Sequence, residues 1–269
     1  MDSGAAIWLY PLIGAGSGLL AGLFGIGGGL LIVPALVAVF ALPGSAVPPA
    51  VAVHVAIGTS LAVIVVTSLS SIAAHQRRGA VVWPAVIRLV PGILVGGFAG
   101  ARIADALARS PLQATFGALA IVLALWMAFG RPPPAEGRHV RTFLWWPAGA
   151  LIGAISALVG IGGGVMTVSW LTWQGVVIHR AVGTGAACTL PVALAGAAGF
   201  MLTGADVPGL PSGSVGYVYL PAALGISLAS VLTAPLGARL AHALPVKQLR
   251  RAFALLLAAV GLQMIVAAY

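Results

Sequence analysis

An identical Gly-Ile-Gly-Gly-Gly run occurs twice in this chain, each time inside a long apolar segment. Residues 18–36 read GLLAGLFGIGGGLLIVPAL and residues 153–171 read GAISALVGIGGGVMTVSWL, 135 positions later. Two more pairs follow in the same order. HVAIGTS at 54–60 answers HRAVGTG at 179–185, and WPAV…GARIADAL from Trp83 to Leu107 answers LPAA…GARLAHAL from Leu220 to Leu244. The last pair keeps a spacing of 137, which also lays Phe116 on Phe253. A duplicated hydrophobic unit broken by glycines at matching places points to a membrane transporter with its site between the halves.

The composition leaves no soluble alternative. With 61% hydrophobic and 6% charged residues, too little polar surface exists to cover a core. Apolar runs near 7–40, 50–74, 83–101, 112–130, 145–174, 181–203, 216–238 and 250–268 are each long enough for a bilayer-spanning helix. They lack the period-2 alternation of barrel strands. Asp2 and the missing basic n-region read the first run as part of the fold rather than a cleaved signal peptide. The net charge of +9 comes from arginines at helix ends, a topology signal and not a nucleic-acid surface. The single Cys188 excludes an internal disulfide.

Eight simple spans would leave the basic residues without a clear bias, five on one side and seven on the other. If each glycine-broken run instead enters and leaves on one side, three true spans follow in each half and the second repeat inverts. Only Arg102 and Arg109 then lie outside, Arg88 lies within a span, and the other ten of the 13 basic residues lie inside. The positive-inside rule therefore favours an all-α membrane protein of two inverted repeats, each a re-entrant or split helical hairpin plus three transmembrane helices. The expected units are 1–130, a cytoplasmic linker over 131–144, and 145–269, with both termini periplasmic. The hairpin arms, 11–24 and 29–42 in the first half, give about 21 Å of helix each, less than the hydrocarbon thickness. Gly14, Gly18 and Gly22, and later Gly92, Gly96 and Gly100, recur every fourth residue, the pattern of close helix packing.

Candidate site residues cluster at the breaks. Gly25, Gly27, Gly28 and Gly29, with Gly160, Gly162, Gly163 and Gly164, are expected to form unwound tips that expose backbone N–H groups to a ligand; a tight turn without a ligand is the plain alternative. No Lys-Ser/Thr follows, so the runs are not nucleotide loops. Gly58, Thr59 and Ser60, matched by Gly183 and Thr184, open the next spans, where hydroxyls could donate to an anion or bond their own helix. Arg88 is either an anion contact or an interfacial anchor. His54 and His179, at matching positions, could pass protons, contact substrate or cap their helices. No metal-ligand spacing is present, and no cofactor is expected. Asp2, Asp105, Glu136 and Asp206, the only acidic residues, fall in loops or at ends, so no carboxylate is placed for a proton or cation relay.

The GxGGG break, the A-x-G-T-[SG] helix start and the terminal GAR-[IL]-A…LR…F pattern, all duplicated, resemble the TauE/SafE sulfite exporter family, also called the toluene sulfonate uptake permease family. The resemblance covers essentially the whole chain. It implies a bacterial inner-membrane transporter for sulfite, sulfoacetate or other organosulfonates; members differ in substrate and in direction, and export is the direction expected here. The implied partners are thus a small anionic substrate and the lipid bilayer. Two departures make the half-sites unequal: Gly185 stands where the first repeat has Ser60, and Gly225 where it has Arg88. An intramembrane enzyme is the competing class; it needs a nucleophile–base pair or a metal cluster at membrane depth, and the chain supplies neither a buried acid nor a histidine pair in register. A carrier of a different small anion is the nearer alternative.

Overall fold

The structure is a computed structural model that describes residues 3–24, 28–129, 144–243 and 246–269. Helices α1 (Ser3–Phe24), α2 (Gly29–Phe40), α3 (Ala52–Arg77), α4 (Trp83–Ala106) and α5 (Arg109–Phe129) precede residues 130–143. Helices α6 (Trp145–Val159), α7 (Gly164–Trp173), α8 (Ile178–Thr203), α9 (Leu220–Ala243) and α10 (Val246–Val266) follow. Gly25, Gly27 and the linker through Phe143 lie outside the described residues. The expected all-α membrane architecture is observed. Among the described residues, three helices, Pro49–Arg77, Trp83–Ala106 and Ile178–Thr203, are long and apolar enough to cross a membrane. The protein's outer surface is greasy, as lipid solvent requires. On α9, Leu224, Leu228 and Leu232 recur every fourth residue and are 69%, 70% and 69% exposed.

Both glycine runs interrupt helices. In the second half, α6 ends at Gly160 (φ 69°) and α7 starts after Gly163 (φ 69°). In the first half, α2 starts after Gly28 (φ 74°). These left-handed conformations are open to glycine and costly for any residue with a Cβ. The short arms α2 and α7, of 12 and 10 residues, reach only about 18 and 15 Å. The leading arm α1 is longer than expected, 22 residues starting at Ser3. One small departure from all-α is a two-residue antiparallel pair, Ser214–Val215 with Val218–Tyr219. It takes up the start of the apolar run at 216–238, because Gly213 (φ 85°) and Gly216 (φ 53°) turn the backbone there.

The helices pair crosswise. α1 packs along α9 and α4 along α6; α3 packs on α8, α5 on α10, α2 on α3, and α7 on α8. Exchanging each helix for its counterpart in the other half maps this set of contacts onto itself. The glycine ladders make the two closest pairs. A Cβ on Gly92, Gly96 or Gly100 would strike the carbonyl oxygen of Trp146, Ala150 or Ala154, and Gly149 and Gly153 sit likewise on Leu89 and Ile93. On the other pair, Gly14 and Gly18 rest on the backbone of Ile226 and Ser230. Small residues let backbones approach where lipid supplies no hydrophobic drive for association. Thr233 adds a hydrogen bond across the α1–α9 pair, donating to the Ala15 carbonyl at 3.0 Å.

Candidate functional site

The two broken hairpins meet in the buried centre. Gly28, Gly29 and the whole run Gly160–Gly164 are buried. Gly29, the first residue of α2, lies against the carbonyl oxygen of Gly160 in the other half, so close that no Cβ fits between them. Ser60 on α3 donates to that same carbonyl at 3.0 Å. Ile64, one turn further along α3, packs over both tips, since its side chain would meet a Cβ on either Gly29 or Gly162. Thr189 of α8 closes against Gly162, and its hydroxyl donates to its own helix at Gly185, 3.0 Å away.

Neither described helix start has a side-chain cap. Gly28 and Gly163 leave the first N–H groups of α2 and α7 without a capping hydroxyl or carboxylate, and neither first turn holds an acid. Such a start carries about half a positive charge and unpaired donors. Near Gly163 lies a residue that pattern reading passed over. Ser156 is fully buried, its Oγ has no hydrogen-bond partner, and a Cβ on Gly163 would sit 3.0 Å from it. The signal was available: a hydroxyl stands four residues before Gly160 in an apolar run, where the first repeat has Ala21. The buried polar side chains of the described residues are hydroxyls, one amide (Gln113) and one imidazole (His54); none is a carboxylate, lysine or arginine.

The remaining candidates are placed as follows. Thr59 and Thr184 do not face a common space. The Tyr219 N–H donates to Thr59 Oγ1 at 3.0 Å, and the Val82 N–H donates to Thr184 Oγ1 at 2.9 Å. Beside them, a Cβ on Gly58 would lie 2.6 Å from the Tyr217 carbonyl oxygen, and one on Gly183 would lie 2.7 Å from that of Ala80. The Gly-Thr pairs therefore dock the segment that leads into α9 or α4 of the opposite half.

Arg88 is exposed on the outside of α4, away from the tips, with its guanidinium 5.7 Å from the Trp145 ring centre. That contact contributes about 0.5–1 kcal/mol at an exposed position. Its counterpart pair is Gly225 against Tyr10, where a glycine lets α1 close on α9.

The matched histidines part company. His179 is exposed. His54 is buried, with Nε2 3.1 Å from the carbonyl oxygens of both Ala104 and Leu107. Because both neighbours are acceptors, Nε2 carries the proton and the buried Nδ1 is left without a partner. Its ring stacks on Tyr217 at 5.1 Å, and the Tyr217 hydroxyl donates to Asp105 at 3.0 Å. Burial, helped by that hydrogen bond and the Asp105 charge, pushes the phenol up to about 12, so it remains a donor at neutral pH.

A greasy exterior, two glycine-broken hairpins meeting at the centre and buried polarity made of hydroxyls define a multi-pass membrane protein built to carry a solute. The chain belongs to the sulfite exporter TauE/SafE family, which residues 10–264 match. It is 39% identical over 259 residues to a probable membrane transporter of Haemophilus influenzae, covering 96% of this chain and 97% of that one. It is 29% identical over 259 residues to a probable membrane transporter of Methanocaldococcus jannaschii, covering 96% and 94%. A probable membrane transporter of Xylella fastidiosa is 33% identical over 60% of this chain and 61% of its own. No solved structure matches the chain. Membrane transport is thus the function class, with a small-molecule substrate and the lipid bilayer as partners.

Proposed function

We propose that the chain exports sulfur-containing oxyanions such as sulfite, sulfoacetate or other organosulfonates across the bacterial inner membrane, holding the anion between the two glycine-broken hairpins. The observation that carries this reading is the pair of uncapped helix starts after Gly28 and Gly163, each buried and without an acid in its first turn. Backbone N–H groups at helix N-termini bind anions without a fixed cation. Gly28 and Gly29 with Gly160, Gly162, Gly163 and Gly164 form the cradle in this reading. Ser156 supplies a free hydroxyl, Ser60 fixes the Gly160 carbonyl, and the Gly58–Thr59 and Gly183–Thr184 pairs hold the adjoining helices in place. Arg88 and His179, both exposed, serve as anchors at the membrane surface.

Counterflow in proteoliposomes tests the proposal. Labelled sulfite should exchange against unlabelled sulfite or sulfoacetate on the other side, with saturation. Ser156→Ala should raise the half-saturation concentration about tenfold or more, the effect of losing one hydrogen bond to a charged group. Substrate turnover without transmembrane exchange would assign the chain to the intramembrane enzymes instead. Exchange of an unrelated anion in place of sulfur anions would redirect the substrate.

The crosswise pairing of α1 with α9 and of α4 with α6 supports two inverted repeats, 1–130 and 145–269, joined by a cytoplasmic linker over 131–144. Both termini then face the periplasm. On a Cys188→Ala background, single cysteines at the N-terminus and at Glu136 should react from opposite sides of the membrane. Reaction from the same side would end the inverted arrangement.

A further inference from the structure

The two Gly-Thr docking points lie toward opposite ends of α3. Thr59 holds the segment before α9, while the segment before α4, held by Thr184, begins just past the far end of α3 at Arg77. About 27 Å of helix separates Thr59 from that end. Each docking point stands directly beside the central tips. Thr59 precedes Ser60, which bonds the Gly160 carbonyl, and Thr184 precedes Gly185, where a Cβ would lie 3.1 Å from the Gly164 carbonyl oxygen.

We propose that these two contacts are the gates of the transport path: one latch, Thr59 with Tyr219, closes the site from one membrane face, and the other, Thr184 with Val82, closes it from the opposite face. The inference rests on the transport reading and assigns how access to that same site is controlled. Each latch is built to open. Its threonine–glycine point makes one hydrogen bond and one glycine-to-carbonyl contact with the docked segment, which is not helical. Gly79 (φ 63°) precedes one latch, and Gly213 (φ 85°) and Gly216 (φ 53°) precede the other. Once parted, Thr184 keeps its bond to the Arg180 carbonyl, 2.7 Å away, so opening strands no hydroxyl donor.

The latches are unequal. The Tyr217 segment is additionally held by the His54 stack, by the Asp105 hydrogen bond and by the Tyr217 N–H on the Phe200 carbonyl at 3.1 Å. The segment from Gly79 to Val82 is exposed or half-buried along its length. The Thr184 latch therefore opens the more readily at rest.

The chain carries its own reporter. Cys188 is buried one turn beyond Thr184 on α8, and Val63, also buried, is one turn beyond Thr59 on α3. A charged, membrane-impermeant thiol reagent would be applied to each face of sealed vesicles, without substrate. Thr184→Val should speed modification of Cys188 about tenfold from one face only, on the scale of one lost hydrogen bond. Thr59→Val, with Val63→Cys and Cys188→Ala, should do the same from the other face. Thr184→Ser and Thr59→Ser keep the acceptor and should stay slow, which separates latch opening from general loosening. With the latches intact, Cys188 should react faster than Val63→Cys. Unchanged rates in folded valine variants, or acceleration from the same face in both, would overturn the gates even where counterflow succeeds. Sided acceleration in a chain that moves no sulfur anion would leave the gates standing and remove the substrate assignment.

Discussion

Gly29→Ala is expected to abolish counterflow while leaving a helical protein in the membrane. Gly29 is the first residue of α2 and its φ is not positive, so alanine brings no backbone strain. What the methyl meets is the other half of the molecule: the Gly160 carbonyl oxygen first, then Ile64 Cδ1 at 2.7 Å and Ser60 Oγ at 3.2 Å. The nearest obstacle is backbone and cannot swing aside. The tips must separate, and the Ser60 hydrogen bond to Gly160 must stretch with them. A displacement of about 1 Å in a preorganised site can lower its rate by about 100-fold. Exchange below about 1% of wild type, with unchanged far-ultraviolet circular dichroism, is the expected result. Wild-type exchange would show that the contact between the tips has no part in transport. Gly163→Val tests the second tip by a different route, since it forces a β-branched residue to φ 69° and fills the space beside Ser156.

Gly96→Val should fail earlier, at assembly. A Cβ on Gly96 would collide with the oxygen, carbonyl carbon (2.7 Å) and Cα (2.8 Å) of Ala150, three backbone atoms of α6. The facing residue Gly153 is equally tight, 2.9 Å from the Gly97 nitrogen. The pair therefore has no soft side from which to yield. Overpacking typically costs about 1–3 kcal/mol, and here it is felt by a helix pair held chiefly by van der Waals contact. The melting temperature in detergent should fall by several degrees, or the protein should not be recovered monodisperse. Leu228→Ala, on the lipid-facing stripe of α9, should change it little. A Gly96→Val melting temperature equal to that of wild type would mean that α4 and α6 do not pack as described.

The repeats, the helix breaks and the glycine ladders were legible because each is a local pattern with a fixed period or spacing. Gly92, Gly96 and Gly100 could only be a packing face, and they are. The docking partners were not legible. Thr59 and Thr184 stood out as duplicated hydroxyls, but the N–H groups they accept from belong to Tyr219 and Val82, which nothing in the flanking sequence ties to them. His54 and His179 match in sequence yet differ in burial, because the long segment between α8 and α9 covers one while the short turn between α3 and α4 leaves the other open. Arg88 was marked as the only basic residue within a span; its neighbour Trp145 belongs to a distant helix. Ser156 was passed over because a single hydroxyl without a counterpart breaks no period.

The pairing of α1 with α9 has a consequence for how the chain is made. α4 meets its partner α6 within a short stretch of synthesis, whereas α1 waits for Leu220–Ala243. At about 5–20 residues per second that delay lasts roughly 10–40 s. Throughout it, the glycine face of α1 has only lipid or the insertion machinery against it. α1 is therefore among the last helices to be locked in. Chains stopped before α9 leave a membrane-embedded helix with an unmatched, closely packable face, which is what quality-control proteases and stray partner helices would find.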